Sequence, residues 1–300
     1  MAINYLNTMH RRKIPNCDMY IIDFGSYSKL MERILKTKKG LKIVDFHGLT
    51  PIEFVDDKLS ITALEKATKQ LELLEKVDII LTHSKFIQDK VKKLAKNYIA
   101  PLALFSDILP NSYKTLKNKN TLNILFVGKI SKHKGIHVLI DALSTLDIPF
   151  ECNIVGDYSS YSSKKYFKKL KKQALSLKLN KKVKFLRGIS NEKLQLEYKK
   201  ADLFITASFH EGFCIPIIES MSFGIPVIGS DSSAIPSTIG KGGVSFKTSN
   251  PADLKNKITQ LFYDKKKYEK LSKKALAESK KYTNNNYLKF YKELLRDYRY

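Results

Sequence analysis

Residues 208–228 read SFHEGFCIPIIESMSFGIPVI, a run in which two acids, Glu211 and Glu219, are set among glycines and prolines. The apolar run ADLFITAS (201–208) leads into it and IPVIGSD (225–231) ends it, so a loop and a helix are bracketed by two strands. Strand, helix, strand with apolar strands on both sides is the unit of a parallel sheet covered on both faces. Along a helix each residue rises 1.5 Å, so eight steps separate two carboxylates by about 12 Å. Glu211 precedes the helix, so the turn sets the true separation. Two acids so placed could grip opposite ends of one ligand.

Outward from this stretch the alternation continues. Strand patterns occur at LNILFVG (122–128), CNIVGD (152–157) and VKFLRG (183–188), each followed by a helical pattern. Earlier in the chain come MYIIDF (19–24), LKIVDF (41–46) and VDIILTH (77–83). Between the last two, Ile61, Leu64, Ala67, Leu71 and Leu74 recur at steps of three and four, which predicts one helix over 59–75 with a core-facing stripe. Periodicity fails from Pro101 to Thr121, where prolines, asparagines and lysines accumulate and a linker is expected. Helical stretches at 251–263 and 284–299 close the chain, the second with Tyr287, Phe290, Tyr291, Leu294 and Leu295 on one packing stripe.

Composition sets the class. With 300 residues, 43% of them hydrophobic, the chain can bury two cores. Cys17, Cys152 and Cys214 form no CxxC pair, which fits a reducing cytoplasm and neither a disulfide framework nor a zinc ribbon. Apolar runs of membrane-spanning length are lacking, and MAINYLNTMHRRKIP has no signal-peptide core, so the expectation is a cytoplasmic protein, soluble or peripheral at a membrane. The net charge is +25 and is densest over 164–200, where Phe167, Leu170, Ala174 and Leu177 fall at helical spacing among lysines. A solvated helix face is the ordinary meaning of such a run; an anionic membrane surface and, behind it, nucleic acid are the further partners this charge permits.

Directly after the strand 122–128 comes GKISKHKG, with Gly128, Lys129, Ser131, Lys134 and Gly135, and directly after that a helix begins. Parallel α/β folds put ligand phosphates at such turns, because glycine admits backbone amides and the helix N-terminus attracts anions. Lys129 and Lys134 add two positive charges there. The turn matches neither G-x-G-x-x-G nor a Walker loop, so a tight turn with exposed lysines is an equal reading of this segment alone.

Taken together, Gly128, Lys129 and Lys134 followed by EGFCIPIIESMSFGIPVI resemble the retaining glycosyltransferases of the GT-B fold, family 4, over roughly Leu122 to Phe246. That family shows a Gly-Arg pair with a Lys five positions after the Arg, then Ser-x-x-Glu-Gly-Phe-Gly-x-Pro and Glu-Ala-Met-Ala-x-Gly-x-Pro-Val. Here the spacings are kept, but Lys129 stands for the Arg and Cys214 for the Gly after Phe213. A lysine there offers a point charge in place of a bidentate fork. The resemblance implies an α/β GT-B fold, two Rossmann-like domains facing a cleft, with residues 1–115 a shortened acceptor-side domain and 116–283 the nucleotide-sugar domain. Residues 284–300 would cross back to the first domain. Only 40 residues precede LKIVDFHG, so the family's opening strand and glycine-rich loop are expected to be absent or reduced to MAINYL.

Residue by residue, the resemblance implies that Gly128, Lys129 and Lys134 hold the donor diphosphate, Glu211 contacts donor-sugar hydroxyls and Glu219 binds the ribose. Gly212 and the amides of Phe213, Cys214 and Ile215 would face sugar or phosphate, with base selection around Leu186 to Gly188 and therefore Arg187. His47, in DFHGLTP, looks like the histidine that faces the donor sugar from the first domain; His83 in LTHSKF competes for that role, and Ser84 reads as a helix N-cap. The activity implied is hexose transfer from a UDP- or GDP-sugar to a glycan, lipid or protein acceptor with retention, His47, Lys134 and Glu211 being catalytic. No cofactor and no metal are expected, since Asp-x-Asp occurs nowhere and lysines with a helix terminus can neutralise the leaving group. Two other classes stay open: a GT-B protein that modifies or binds nucleic acid, and a non-catalytic donor-binding protein.

Overall fold

Two parallel sheets organise the chain in the computed structural model, which describes residues 14–103, 112–116, 119–296 and 298. They belong to two units, Met1–Ala100 and Pro101–Tyr300. The division lies at the start of the stretch in which periodicity fails. MAINYL and parts of that stretch, 104–111 and 117–118, lie outside the described residues, as do positions 297 and 299 of the last predicted helix.

In the first unit β1 (Met19–Phe24), α1 (Lys29–Ile34), β2 (Leu41–Phe46), α2 (Lys58–Gln70), β3 (Ile79–Thr82), α3 (Lys85–Val91) and β4 (Lys96–Ile99) alternate. The strands pair in parallel in the order β1-β2-β3-β4. Each helix starts on a short polar side chain that accepts a first-turn amide: Ser28 from Met31, Asp57 from Ser60 and Ser84 from Ile87. The expected helix over 59–75 is an α-helix only to Gln70, and a tighter 3₁₀ stretch, Leu71–Lys76, follows. Gln70 stands at the break. It is buried and ties α2 to α1, its side chain accepting from Ser28 N at 2.9 Å and donating to Glu32 at 2.7 Å. Strand β4, KNYI, has no apolar run to mark it: Lys96 and Ile99 are exposed and none of its side chains is fully buried.

The second unit contains β5 (Leu122–Val127), α4 (Ile136–Ser144), β6 (Phe150–Val155), α5 (Tyr161–Ser176), β7 (Val183–Leu186), α6 (Asn191–Lys200), β8 (Leu203–Thr206), α7 (Ile215–Ser222), β9 (Val227–Ser230), α8 (Ile235–Ile239) and β10 (Gly243–Phe246), and then α9 (Pro251–Tyr263), α10 (Lys265–Ser279) and α11 (Asn284–Arg296). Its six strands are parallel in the order β7-β6-β5-β8-β9-β10. Counted within the unit this is 3-2-1-4-5-6, the Rossmann order, with its reversal between β5 and β8. Alternate residues of β5 feed two cores: Ile124 and Phe126 pack with Leu139, Leu143 and Leu170 on one face, Leu125 with Phe204, Ile217 and Met221 on the other. On α5 the stripe differs from the expected one, since Tyr166 is buried and Phe167 lies half-buried against Tyr158. No helix among the described residues is long and apolar enough to cross a membrane.

The segment ahead of β5 is anchored. Lys114 donates from its ammonium to the carbonyls of Lys199 (2.6 Å) and Ala201 (2.5 Å), and so caps the C-terminus of α6. Buried Asp202 accepts from Asn123 N at 2.9 Å and pairs with Lys119, while Tyr268 of α10 donates to its carbonyl at 2.6 Å.

Gly135 begins α4 with φ +61°, and a Cβ there would stand 2.0 Å from the Ala207 carbonyl oxygen, past the end of β8. Gly188 has nearly the same φ, +63°, and open space around it. The left-handed backbone alone costs a non-glycine residue about 1–2 kcal/mol. Gly188→Ala is therefore expected to lose roughly that much in urea unfolding, and Gly135→Ala clearly more, because the loop after β8 must also move.

Candidate active site

The strand order reverses between β5 and β8, and the carboxyl ends of the strands at such a reversal are where open α/β sheets receive ligands. From one side comes 128–135, from the other 207–214. Phe209 N donates to His133 O at 2.7 Å, and Gly135 lies against Ala207, so the loops are tied where they meet. Lys134 Nζ reaches Glu211 Oε1 at 2.7 Å, with side chains only 18% and 10% exposed. Ser208 Oγ donates to the same carboxylate oxygen at 2.8 Å, and Glu211 N donates to Ser233 Oγ at 2.8 Å.

Burial and charge set the protonation here. Burial works to lower the Lys134 ammonium, but the Glu211 carboxylate outweighs it and holds the group above its ordinary value. His133 is pushed down to about 4 by burial and by Lys134, which leaves a neutral imidazole beside the pair. The Cys214 thiol is pushed well up by burial and then by Glu211, and so stays protonated. Cys214 has φ +78° and ψ +72° at the entry to α7, the left-handed conformation that favours glycine.

Of the residues named from sequence, Lys134, Glu211 and Cys214 come together, while Gly128, Lys129, Gly212, Phe213 and Ile215 line the same two loops and the start of α7. Lys129 and Ile215 are exposed. Phe213 packs edge-on against Tyr282 and its carbonyl accepts from Thr238 Oγ1 at 2.7 Å. Arg187 sits at the end of β7 with Nε 3.3 Å from Asp157 and its guanidinium over the Tyr158 ring. Glu219, on α7, accepts from Tyr198 Oη at 2.6 Å, and burial pushes its carboxyl up against the lowering effect of that bond. Tyr198 was missed in the sequence; its place on α6, four residues after Leu194, is the signal that marks it as inward-facing.

His47 belongs to the first unit, just past β2. Its Nε2 lies 3.5 Å from Asp23 and 4.0 Å from Asp45, and its ring is 5.2 Å from that of His83. Both histidines thus stand in one cluster. His83 is buried, 2.8 Å from Asp45 Oδ1 through Nε2 and 3.0 Å from Ala100 O through Nδ1. Burial works to lower it, and Asp45 outweighs that and raises it. Asp45, His47 and His83 offer ligand atoms all within 4.8 Å of one another.

The model of the glycosyl transferases group 1 family matches residues 108–278, more than half of the chain. The chain belongs to the glycosyl transferases group 1 family. O-antigen chain mannosyltransferase B of Escherichia coli is 26% identical over 231 residues, covering 72% of this chain and 59% of its own length. An uncharacterised glycosyltransferase of Methanocaldococcus jannaschii is 26% identical over 209 residues, 69% of this chain and 56% of that protein. The chain therefore spans little more than half the length of these curated relatives. Among solved structures, sucrose-phosphate synthase of Thermosynechococcus elongatus superposes with a TM-score of 0.79 at 17% identity, over 93% of this chain and 73% of that one. Anabaena HepE in complex with UDP-glucose gives 0.69 at 22%, over 86% and 72%. The fold of this group 1 member is the GT-B fold.

A carboxyl raised on folding favours the folded chain below its unfolded value of about 4.3 and costs stability as pH rises through the folded value. Glu219→Gln, which keeps an acceptor for Tyr198, is accordingly expected to melt above the wild type at pH 7.5. In thermal melts that gap should close as the pH falls toward about 4.

Proposed function

We propose that this chain is a retaining glycosyltransferase, moving a hexose from a UDP- or GDP-sugar to a glycan, lipid or protein acceptor. The observation that carries this is the Lys134–Glu211 pair, held at the sheet's order reversal beside the start of α7. A cation, a carboxylate and a helix N-terminus at one place suit a ligand with an anionic diphosphate and a hydroxyl-rich sugar. That HepE was solved with UDP-glucose, on the same fold, supports a donor of this class.

In this reading Lys134 and Lys129 take the diphosphate, with Gly128 and the amides of Gly212, Phe213, Cys214 and Ile215 close to phosphate or sugar. Glu211 then accepts from sugar hydroxyls, Glu219 from the ribose, and Arg187 borders the base. The bond from the anomeric carbon to the phosphate oxygen breaks as the acceptor oxygen bonds that carbon on the same face, and the acceptor proton passes to the leaving phosphate. Negative charge growing on the phosphate meets lysine and the positive end of α7, which is where electrostatic stabilisation acts.

A screen of nucleotide-sugars by thermal shift tests this directly. The true donor at 100 times its dissociation constant should stabilise the chain by about 2.7 kcal/mol. Lys134→Ala and Glu211→Gln should each lower donor hydrolysis or transfer by on the order of 100-fold; near-normal turnover in both would remove this assignment.

A further inference from the structure

The carboxyl edge of the first sheet carries more chemistry than the proposed transfer uses. Since β1, β2 and β3 run parallel and in register, with Asp23 beside Asp45 and Asp45 beside Leu81, the residues that end or follow these strands collect on one edge. Asp23 closes in from β1, Asp45 and His47 from β2 and its exit, and His83 from the exit of β3. The geometry points to a binding site for a divalent transition metal of the zinc class, held by Asp45, His47 and His83, with Asp23 as the fourth donor.

Three observations support it. First, the donor set is two imidazoles and a carboxylate whose ligand atoms all fall within 4.8 Å of one another. Zinc, cobalt and nickel take such mixed nitrogen and oxygen sets, whereas magnesium and calcium ask for oxygens. Second, His83 is oriented for it. The Ala100 carbonyl, 3.0 Å from Nδ1, can only accept, so Nδ1 carries a proton there and the buried Nε2 faces the cluster, 2.8 Å from the buried Asp45 Oδ1 with no hydrogen bond joining these two atoms. A backbone carbonyl on the far ring nitrogen is the outer support that metal-binding histidines use. Two buried donor atoms side by side are placed to share one metal ion. Third, the cluster has a buried floor and an open rim: the side chains of His83 and Asp45 are 4% and 22% exposed, those of His47 and Asp23 42% and 84%. Two carboxylates would also balance the charge of a dication.

The site is distinct from the donor residues of the second unit, and binding can be read without any transfer. Chelator-stripped, tag-free chain is titrated with zinc chloride by calorimetry and with cobalt(II) by visible absorption. One equivalent of each should bind, cobalt giving d–d bands without the sulfur-to-metal band a thiolate site would add. His47→Ala, at an exposed position, and Asp45→Asn should each weaken binding at least tenfold and remove the cobalt bands, with thermal melts confirming that both fold. Cys17→Ser and Cys214→Ser should bind as the wild type does. Absence of a saturable one-equivalent site, or equal binding by His47→Ala and Asp45→Asn, would overturn the assignment.

Discussion

The Lys134–Glu211 ion pair is the constraint around which the second unit is arranged. Two side chains 77 positions apart meet only because β5 and β8 are neighbours in space and both loops leave the same sheet edge. Removing two charges from water costs several kcal/mol each, and their attraction offsets this only where further hydrogen bonds satisfy what remains. Ser208 supplies one on the carboxylate side, and Ser233 fixes the Glu211 backbone. Losing one member would leave the other stranded at a cost of about 3–5 kcal/mol. Gly135 lies close against Ala207 where the two loops meet.

Much of this arrangement was legible before any coordinates. The strands of the second unit are near-continuous apolar runs, the pattern of strands buried on both faces, and their boundaries came out within a few residues. Elements marked by less apolar length were harder. Strand β10 is four residues, GVSF, starting on a glycine, and α10 hides Tyr268, Leu271 and Ala275 among lysines that dilute its stripe. Lys134 and Glu211 could each be selected as candidate site residues from local pattern, but that they pair with each other follows from strand order, which no local pattern carries. The same holds for Tyr198 on Glu219 and for His83 on Asp45, contacts between elements remote in sequence.

Cys214 shows where local pattern and backbone disagree. Glycine suits φ +78°, and a side-chain-bearing residue held there costs about 1–2 kcal/mol. The turn is kept regardless, because Phe213 is fixed through Thr238 and Tyr282, and α7 is packed by Ile217, Ile218 and Met221. Strain at one residue is thus sustained by the packing of the helix it introduces.

The ion pair also bears on which ligands can stay. Lysine and carboxylate neutralise each other, so under the proposed function an incoming diphosphate would have to take Lys134 away from Glu211. A ligand with both phosphate and sugar completes the exchange, giving Glu211 hydroxyl donors in place of the ammonium. A nucleoside diphosphate without its sugar takes the lysine and offers Glu211 nothing, leaving a largely buried carboxylate short of a partner. Under the proposed reaction, transfer of the sugar would itself convert a well-matched occupant into a poorly matched one, so turnover and release would be driven by one redistribution of charge.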